Sequence, residues 1–235
     1  MACGKASAQQ KLAHPADAFW RDTMSIALIG ATGRTGRLVA EKLHRAGIPF
    51  RALLRDEAQR AHFESLGGSP VIVDLTQDFC AALAGVNTVI FAAGSAESEG
   101  AEQERQIDRD AIIKAVDCAK QYGADRFIVV STLLAYAPES APDALRHYAQ
   151  MKRASDDYLI GSGLDYLVLR PATLTMESGT GKIEIVADAQ SARAPVARED
   201  VADVALEALR IGLVNTIVGF AGGSKPIDDA LAALH

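Results

Sequence analysis

The sequence predicts an α/β protein built on a doubly wound parallel sheet. Short apolar runs alternate with amphipathic segments from residue 25 onward, which is typical of parallel strands covered by helices on both faces. A glycine-rich turn at 30–36 joins the first apolar run to the first amphipathic segment. The chain has 235 residues, of which 49% are hydrophobic, and this is enough for one well-buried core.

The predicted elements follow the chain in a regular order. Strands are predicted near 25–30, 48–54, 70–73, 87–92, 126–131 and 164–170. Helices are predicted between them, near 34–46, 56–66, 77–84, 101–122 and 143–162. A small C-terminal region then has a strand at 183–187, a helix near 199–211, a strand at 216–220 and a helix at 226–234. We expect this region to fold over the C-terminal edge of the sheet, on the substrate side.

The domain organisation is predicted to be simple. Residues 24–235 form one domain, because the segment after 171 is too short to fold independently. Residues 1–23 have no strand pattern and are expected to be an appended, partly mobile extension.

Composition excludes several classes of function. The net charge of −6 and the pI of about 5.4 argue against general binding of nucleic acid or membrane surfaces. No apolar run is long enough to span a bilayer, and the five histidines lack the spacing of metal ligands. Three scattered cysteines do not form a disulfide framework, so Cys80 and Cys118 are expected to be small core residues of a cytoplasmic protein.

The turn Gly30-Ala-Thr-Gly-Arg-Thr-Gly36 predicts a site for the pyrophosphate of a dinucleotide. Gly30 permits a tight turn off the strand, Gly33 lets the backbone approach phosphates, and Gly36 lets the helix pack close to the strand. The helix N-terminus offers free N–H groups and the positive end of its dipole. The predicted cofactor-binding residues of this turn are Gly30, Thr32, Gly33, Arg34, Thr35 and Gly36.

Basic residues near the second strand favour NADP(H) over NAD(H). NAD-selective sites often have an acidic residue at the end of this strand, whereas here it ends at Arg55. Arginine forks suit a 2′-phosphate, and we predict that Arg34 and Arg55 bind it. Asp56 follows directly and leaves NAD(H) as the alternative. Other arginines of the region are interpreted as solvated charges, namely Arg37, Arg45 and Arg60.

Two further segments at strand ends fit the same cofactor. Asp74 can accept a hydrogen bond from the adenine amino group, while Leu75 packs on the ring. Small residues follow the fourth strand and let the cofactor approach the backbone, namely Ala92, Ala93 and Gly94.

The catalytic candidates are Tyr148 and Lys152, four residues apart on a predicted helix and therefore on one face. A neighbouring ammonium lowers the pKa of a phenol and makes it a usable acid or base. Lys152 can also hold the ribose hydroxyls of the nicotinamide half of the cofactor. Ser131 and Thr132, at the end of the fifth strand, are candidates to polarise a substrate carbonyl, although both could merely cap the strand end.

The segment Ser178-Gly-Thr-Gly-Lys182 resembles a phosphate loop only briefly. Met176 lies where the first glycine should be, and Ile183 replaces the required Ser or Thr. We interpret the segment as a flexible loop beside the substrate.

At these motifs the chain resembles the short-chain dehydrogenase/reductase superfamily. It is most similar to the atypical branch of NmrA-like and biliverdin-reductase-B-like proteins, and the resemblance extends from Met24 to the C-terminus. Further matching segments are Arg126-Phe-Ile-Val-Val-Ser-Thr132, Gly163-Leu-Asp-Tyr-Leu-Val-Leu-Arg-Pro171 and Val196-Ala-Arg-Glu-Asp-Val-Ala202.

The resemblance implies a Rossmann-like sheet with NADP(H) along its C-terminal edge. Tyr148 would be the proton donor, Lys152 its electrostatic partner, and Ser131 or Thr132 the hydroxyl that orients the carbonyl. The nicotinamide would lie near Pro171, Ala172 and Thr173.

Three functions are compatible with these observations. The first is an NADPH-dependent reductase of a small carbonyl or quinone-type acceptor, and we rank it highest. The second is a non-catalytic NADP(H)-binding redox sensor. The third is a sugar-nucleotide epimerase or dehydratase, which the small C-terminal region disfavours. A monomer and a homodimer both fit the sequence.

Overall fold

The computed structural model describes residues 24–95, 99–192 and 194–234, so the predicted extension at 1–23 lies outside the described residues. The strands are β1 (Ile26–Ile29), β2 (Phe50–Leu54), β3 (Gly68–Ile72), β4 (Thr88–Phe91), β5 (Arg126–Val130), β6 (Asp165–Pro171), β7 (Leu174–Thr175), β8 (Lys182–Ile185), β9 (Val196–Ala197), β10 (Thr216–Gly222) and β11 (Lys225–Pro226). The α-helices are α1 (Arg34–Arg45), α2 (Arg60–Ser65), α3 (Gly100–Gln103), α4 (Ala111–Gln121), α5 (Asp143–Ile160), α6 (Arg198–Arg210) and α7 (Ile227–Ala232).

Nine of these strands form one sheet in the order β3-β2-β1-β4-β5-β6-β10-β8-β11. The first six positions have the strand order of the Rossmann fold, and all pairs from β3 to β10 are parallel. The order reverses between β1 and β4, and ligands of such sheets bind at the carboxyl ends of the strands beside this reversal. The predicted α/β fold with a parallel sheet is therefore confirmed.

Two faces of the sheet carry separate cores because side chains alternate along each strand. In β1, Ile26 and Leu28 pack with the buried residues of α1 and α6, whereas Ala27 and Ile29 pack with those of α4. All four residues of β1 are buried, as expected for a central strand covered on both faces.

The C-terminal region differs from the sequence expectation. It adds β10, β8 and β11 to the edge of the sheet, and β8 pairs antiparallel with both β10 and β11. The sheet is thus not purely parallel, because β8 runs opposite to β10, and β11 continues in the direction of β10 along β8 after an interruption at 223–224. At the C-terminal edge the short strands β7 and β9 pair, and Val186, which follows β8, packs with Leu133 and Ala221.

The helix predicted near 77–84 is also wrong in type. Only a short 3₁₀ helix, Cys80–Leu83, forms there, and the helix predicted near 56–66 is divided into a 3₁₀ turn at Glu57–Gln59 and α2. A π-helical segment, Glu104–Asp110, joins α3 to α4 and was not predicted.

Cys80 and Cys118 form a disulfide, which corrects the expectation that they are unlinked core residues. The two cysteines are 38 residues apart in sequence, but the 3₁₀ helix packs on α4 and brings their Cα atoms within 4.8 Å. Sequence spacing could not show this proximity.

Among the helices that the structure describes, none has both the length and the apolar composition needed to span a bilayer.

Candidate functional site

The glycine-rich turn packs backbone against backbone at the reversal point of the sheet. Gly30 follows β1 with φ of +81°, and a Cβ atom there would lie 2.3 Å from the backbone nitrogen of Ala93. A Cβ atom on Gly36 would lie 2.1 Å from the carbonyl oxygen of Gly30. These contacts explain both glycines, since no other residue could be placed there without moving β1, α1 or the end of β4.

The N-terminus of α1 has the features of an anion site. Gly33 is its N-cap, no side chain caps it, and its first turn contains no acidic residue. The first N–H groups of a helix have no partner within the helix, and here no carboxylate takes their place. Thr35 is buried in this first turn, and the carbonyl of Thr32 accepts a hydrogen bond from Arg37 Nε at 3.0 Å. The turn therefore fits the pyrophosphate of a dinucleotide.

The arginines near this turn divide into two groups by their contacts. Arg37, Arg45 and Arg60 hold protein groups: their partners are Gln59 for Arg37, Glu41 for Arg45 and Glu57 for Arg60. In contrast, Arg34 and Arg55 are exposed and form no ion pair with any residue in the described ranges. The Asp56 carboxylate is engaged as a cap, because it accepts a hydrogen bond from the backbone N–H of Ala58 at 2.9 Å.

Asp74 lies beside Arg55 at the carboxyl ends of β3 and β2. Its Oδ1 accepts hydrogen bonds from the backbone N–H and the hydroxyl of Thr76. These bonds lower the pKa of Asp74, and the charge of Arg55 lowers it further by a smaller amount. Leu75 is half-buried and packs against the core beneath. The carboxylate is thus ionised at neutral pH and can accept a hydrogen bond from a ligand through Oδ2.

The remaining predicted cofactor residues lie along the same edge. The N–H of Ala92 donates to the carbonyl of Ile29, so the end of β4 adjoins the glycine turn. Pro171 is buried at the end of β6, while Gly94 and Thr173 are exposed. The N–H of Ala172 donates to the carbonyl of Phe220, and the N–H of Val196 donates to the carbonyl of Thr173. These two hydrogen bonds fix the segment after β6.

A buried ion pair holds Lys152. Its Nζ lies 3.0 Å from Asp108 Oδ1, and the two side chains are 3% and 0% exposed. The ammonium also donates to the carbonyl of Val130, at the end of β5. Burial alone would lower the pKa of Lys152, but the Asp108 carboxylate raises it, so the residue is an ammonium ion. Asp108 Oδ2 accepts from both the N–H and the hydroxyl of Ser95.

Tyr148 lies one turn before Lys152, whose Nζ is 5.9 Å from the centre of the phenol ring. The sequence predicts that Lys152 lowers the pKa of Tyr148, and the net shift is opposite. Burial raises the pKa of Tyr148 more than Lys152 lowers it, and the Asp108 carboxylate raises it further. Tyr148 is therefore a neutral phenol at neutral pH, with no hydrogen-bond partner for its hydroxyl in the described part of the chain. A neutral phenol is able to donate a proton.

The two candidate hydroxyls differ in what they can still do. Ser131 is buried and donates its proton to Asp156 Oδ2 at 2.8 Å. Thr132 is half-buried and caps the 3₁₀ helix Leu133–Tyr136 by accepting the N–H of Leu134 at 3.3 Å. Because Thr132 uses only a lone pair in this contact, its own proton is free for a ligand.

Asp156 lies at the centre of a buried polar cluster beneath these hydroxyls. Its Oδ2 accepts from Ser131 and from two nitrogens of Arg170, at 3.0 and 2.9 Å, while its Oδ1 is buried without a partner among the described residues. Burial raises the pKa of Asp156 to about 6, although Arg170 and Ser131 oppose this. The Arg170 guanidinium lies 4.3 Å from the ring centre of Tyr136.

Sequence reasoning missed Asp108 and Asp156, and the sequence contains a signal for each. Tyr148, Lys152 and Asp156 are spaced by four residues, so they follow one helix face. Asp108 precedes Ile112 by four residues on a buried helical stripe, and an acidic residue in such a stripe needs a buried partner.

The segment Ser178-Gly-Thr-Gly-Lys182 is anchored instead of flexible. The backbone N–H groups of Thr180 and Gly181 donate to the buried carboxylate of Asp200, and the N–H of Gly179 donates to Glu199. The amides that resemble a phosphate loop are thus occupied by carboxylates from the first turn of α6.

Two surface cavities lie away from the site. One lies between β8 and α7, the other between α6 and α7, and neither is lined by a predicted site residue. The described ranges contain no group of three or more His, Cys, Asp or Glu side chains that could hold a metal ion.

Comparisons with known proteins find related sequences and structures. Residues 30–211 match a family model described as NAD(P)H-binding. A relative from Bacillus subtilis, described as the uncharacterized sugar epimerase YhfK, is 35% identical over 216 residues, which cover 90% of this chain and all of the relative.

Two solved structures are similar over nearly their whole length. A Bacillus halodurans protein with a provisional assignment as an NAD-dependent epimerase/dehydratase has a TM-score of 0.85 at 32% identity, covering 89% of this chain and 99% of that chain. The oxidoreductase ylbE from Lactococcus lactis has a TM-score of 0.80 at 26% identity, covering 90% and 96%.

Proposed function

Since the chain belongs to the NAD(P)H-binding family, we propose that it is an NADPH-dependent reductase of a small carbonyl or quinone-type acceptor. One observation carries the proposal. A neutral Tyr148 lies beside the fixed ammonium of Lys152, at the same sheet edge as an uncapped, acid-free helix N-terminus. A reductase needs a proton donor next to its dinucleotide, and this arrangement supplies one.

The proposed cofactor site follows the strand ends from β3 to β6. The turn from Gly30 to Gly36 would hold the pyrophosphate, and Arg34 and Arg55 the 2′-phosphate that distinguishes NADPH from NADH. The absence of ion pairs for these two arginines in the described ranges supports the choice of NADPH, since each guanidinium is available to a ligand. We propose Asp74 and Leu75 for the adenine, and the segment 171–173 for the nicotinamide.

When bound, the reduced nicotinamide supplies a hydride to the acceptor. Tyr148 donates the accompanying proton to the acceptor oxygen, and the pair of transfers reduces a carbonyl to an alcohol. Thr132 donates a hydrogen bond to the same oxygen, because the proton of Ser131 is held by Asp156. Lys152 stabilises the phenolate that forms on Tyr148, and Asp108 and the Val130 carbonyl hold the ammonium in place.

The experiment compares Tyr148→Phe with the matched control Tyr158→Phe. Tyr158 is on the same helix, but its exposed hydroxyl bonds to Asp117. We expect Tyr148→Phe to bind NADPH like the wild type and to reduce carbonyl acceptors about 100- to 10,000-fold more slowly. The control should be unchanged in both. Normal carbonyl turnover by Tyr148→Phe would contradict the mechanism.

Sugar-nucleotide epimerisation is the second candidate, because one relative is described as an uncharacterized sugar epimerase and one similar structure as an NAD-dependent epimerase/dehydratase. Such an enzyme retains its oxidised dinucleotide through each cycle and recognises a nucleotide diphosphate. Net oxidation of NADPH by an added acceptor favours the reductase, whereas turnover of a sugar nucleotide without net oxidation favours the epimerase.

A further inference from the structure

Arg198 is a basic residue at the sheet edge to which the cofactor site assigns no role. It is the first residue of α6 and directly follows β9. Its Nη1 donates to the carbonyl of Leu174 at 3.4 Å, and β9 pairs with β7 through Leu174 and Val196. The guanidinium is thereby fixed against the segment that follows Pro171, where the proposed nicotinamide site lies.

No carboxylate of the described residues pairs with Arg198. The two acidic residues that follow it are used elsewhere: Glu199 bonds to Gly179 and Lys42, and Asp200 bonds to the 180–181 amides. Within residues 24–95, 99–192 and 194–234, the one hydrogen bond of its guanidinium is that to the carbonyl of Leu174. Arg198 is half-buried, and a half-buried cation without a counterion is unfavourable unless an anion is bound.

The surroundings of Arg198 indicate which anion this is. Burial and the like charge of Arg34 lower the pKa of Arg198, and Tyr148 opposes this more weakly. The start of α6 also lies against α1, because the two helices pack together and Glu199, the residue after Arg198, pairs with Lys42 of α1. Arg34 is the first residue of α1, at the helix terminus that fits a pyrophosphate.

We propose that Arg198, together with Arg34, binds the pyrophosphate of the dinucleotide. The bound diphosphate would compensate the two like charges and join the start of α6 to the glycine turn of α1. The inference rests on the proposed function only in requiring a dinucleotide, and it applies to NADPH and NADH alike because both contain this group.

The test is a fluorescence titration of the full chain with NADPH and with NADH, using wild type and Arg198→Met. We expect the variant to bind both cofactors about 10- to 100-fold more weakly, by the same factor, because it loses charge-assisted hydrogen bonds. ADP-ribose retains the pyrophosphate but lacks nicotinamide, and its affinity as a competitor should fall by the same factor in Arg198→Met. Adenosine 2′-monophosphate, which lacks the pyrophosphate, should compete unchanged.

Two further variants support the interpretation of the titration. Arg210→Met removes an exposed arginine of the same helix that pairs with Glu207, and it should bind both cofactors like the wild type. Arg198→Lys keeps the charge but not the planar fork, and its affinity should lie between those of wild type and Arg198→Met. Thermal unfolding of each variant reports whether the fold is retained.

Two binding results would overturn the proposal. Unchanged affinity of folded Arg198→Met for both cofactors would do so, as would weaker binding of NADPH alone, which would assign Arg198 to the 2′-phosphate. A higher KM for acidic acceptors with unchanged cofactor affinity would assign it to the acceptor. Failure of the wild type to bind either cofactor would instead refute the proposed function, together with this inference.

Discussion

Removing the charge of Asp108 tests the buried ion pair that holds Lys152. The Asp108→Asn variant keeps the shape of the side chain and an acceptor oxygen, but it removes the negative charge that pairs with the ammonium of Lys152. The two charges are 3.0 Å apart, and their side chains are at most 3% exposed, so solvent cannot replace the lost partner. Breaking a buried pair of this kind costs about 3–5 kcal/mol, and we expect a destabilisation in this range.

The assay is urea unfolding at neutral pH, analysed for midpoint and slope. Asp157→Asn is the matched control, because Asp157 pairs with Arg153 at 2.8 Å on the exposed face of α5. The free energy of unfolding of Asp157→Asn should be lower than that of the wild type by less than about 1 kcal/mol. The double variant Asp108→Asn/Lys152→Met should recover most of the lost stability, since it removes the unpaired cation as well.

The dependence on pH provides a second criterion. An unpaired buried lysine has a folded-state pKa below its ordinary value of 10.5, so the unfolded state binds more protons and stability rises with pH. The deficit of Asp108→Asn should therefore shrink as the pH approaches 10. A loss below about 1 kcal/mol at neutral pH, or a double variant as unstable as the sum of its parts, would refute the reasoning.

Three other perturbations have expected outcomes. Gly30→Ala should lower the free energy of unfolding by at least about 2 kcal/mol more than Gly47→Ala does. Both glycines have a positive φ, but only Gly30 lacks room for a Cβ atom. Equal losses of stability in chemical denaturation would contradict this. Asp156 has a folded-state pKa of about 6 against an ordinary 3.8, so the folded state binds its proton more tightly and the wild type should lose about 2 kcal/mol of stability as the pH rises from 4 to 6. A difference between wild type and Asp156→Asn that is constant over about pH 4–8 would contradict this. Asp200→Asn should make the segment 178–182 about 10- to 100-fold more sensitive to limited proteolysis, because the charged acceptor of two backbone N–H groups is lost. An unchanged cleavage rate would show that Asp200 does not anchor this segment.

Much of the fold could be predicted from local patterns. Each buried parallel strand is an apolar run, and the glycine turn marks the passage from β1 to α1. The succession of strands and helices along the Rossmann-like core could therefore be predicted from the sequence. The antiparallel β8 and β11 could not be assigned to the sheet edge, because short half-exposed strands carry no distinct period. The Cys80–Cys118 disulfide likewise depends on tertiary packing that spacing does not show.

The candidate site could be predicted in part. The positions of Tyr148 and Lys152 on one helix face follow from their spacing, but the net pKa shift of Tyr148 does not, since burial and Asp108 outweigh the lysine. The different bonding of Ser131 and Thr132 depends on strand phase, and Ser131 is directed to Asp156, a contact between residues 25 apart. The position of Arg198 against Leu174 depends on the pairing of β7 with β9.

The most direct test of the central claim follows NADPH fluorescence in the presence of the purified protein as quinones and aldehydes are added. The account predicts a binding signal with NADPH, stronger than that with NADH, which then decays with an acceptor as the cofactor is oxidised. Decay with aldehydes should be lost in Tyr148→Phe. Stable binding without decay across the panel would contradict the reductase proposal and favour a sensor. The absence of binding by either cofactor would contradict the assignment of the site itself.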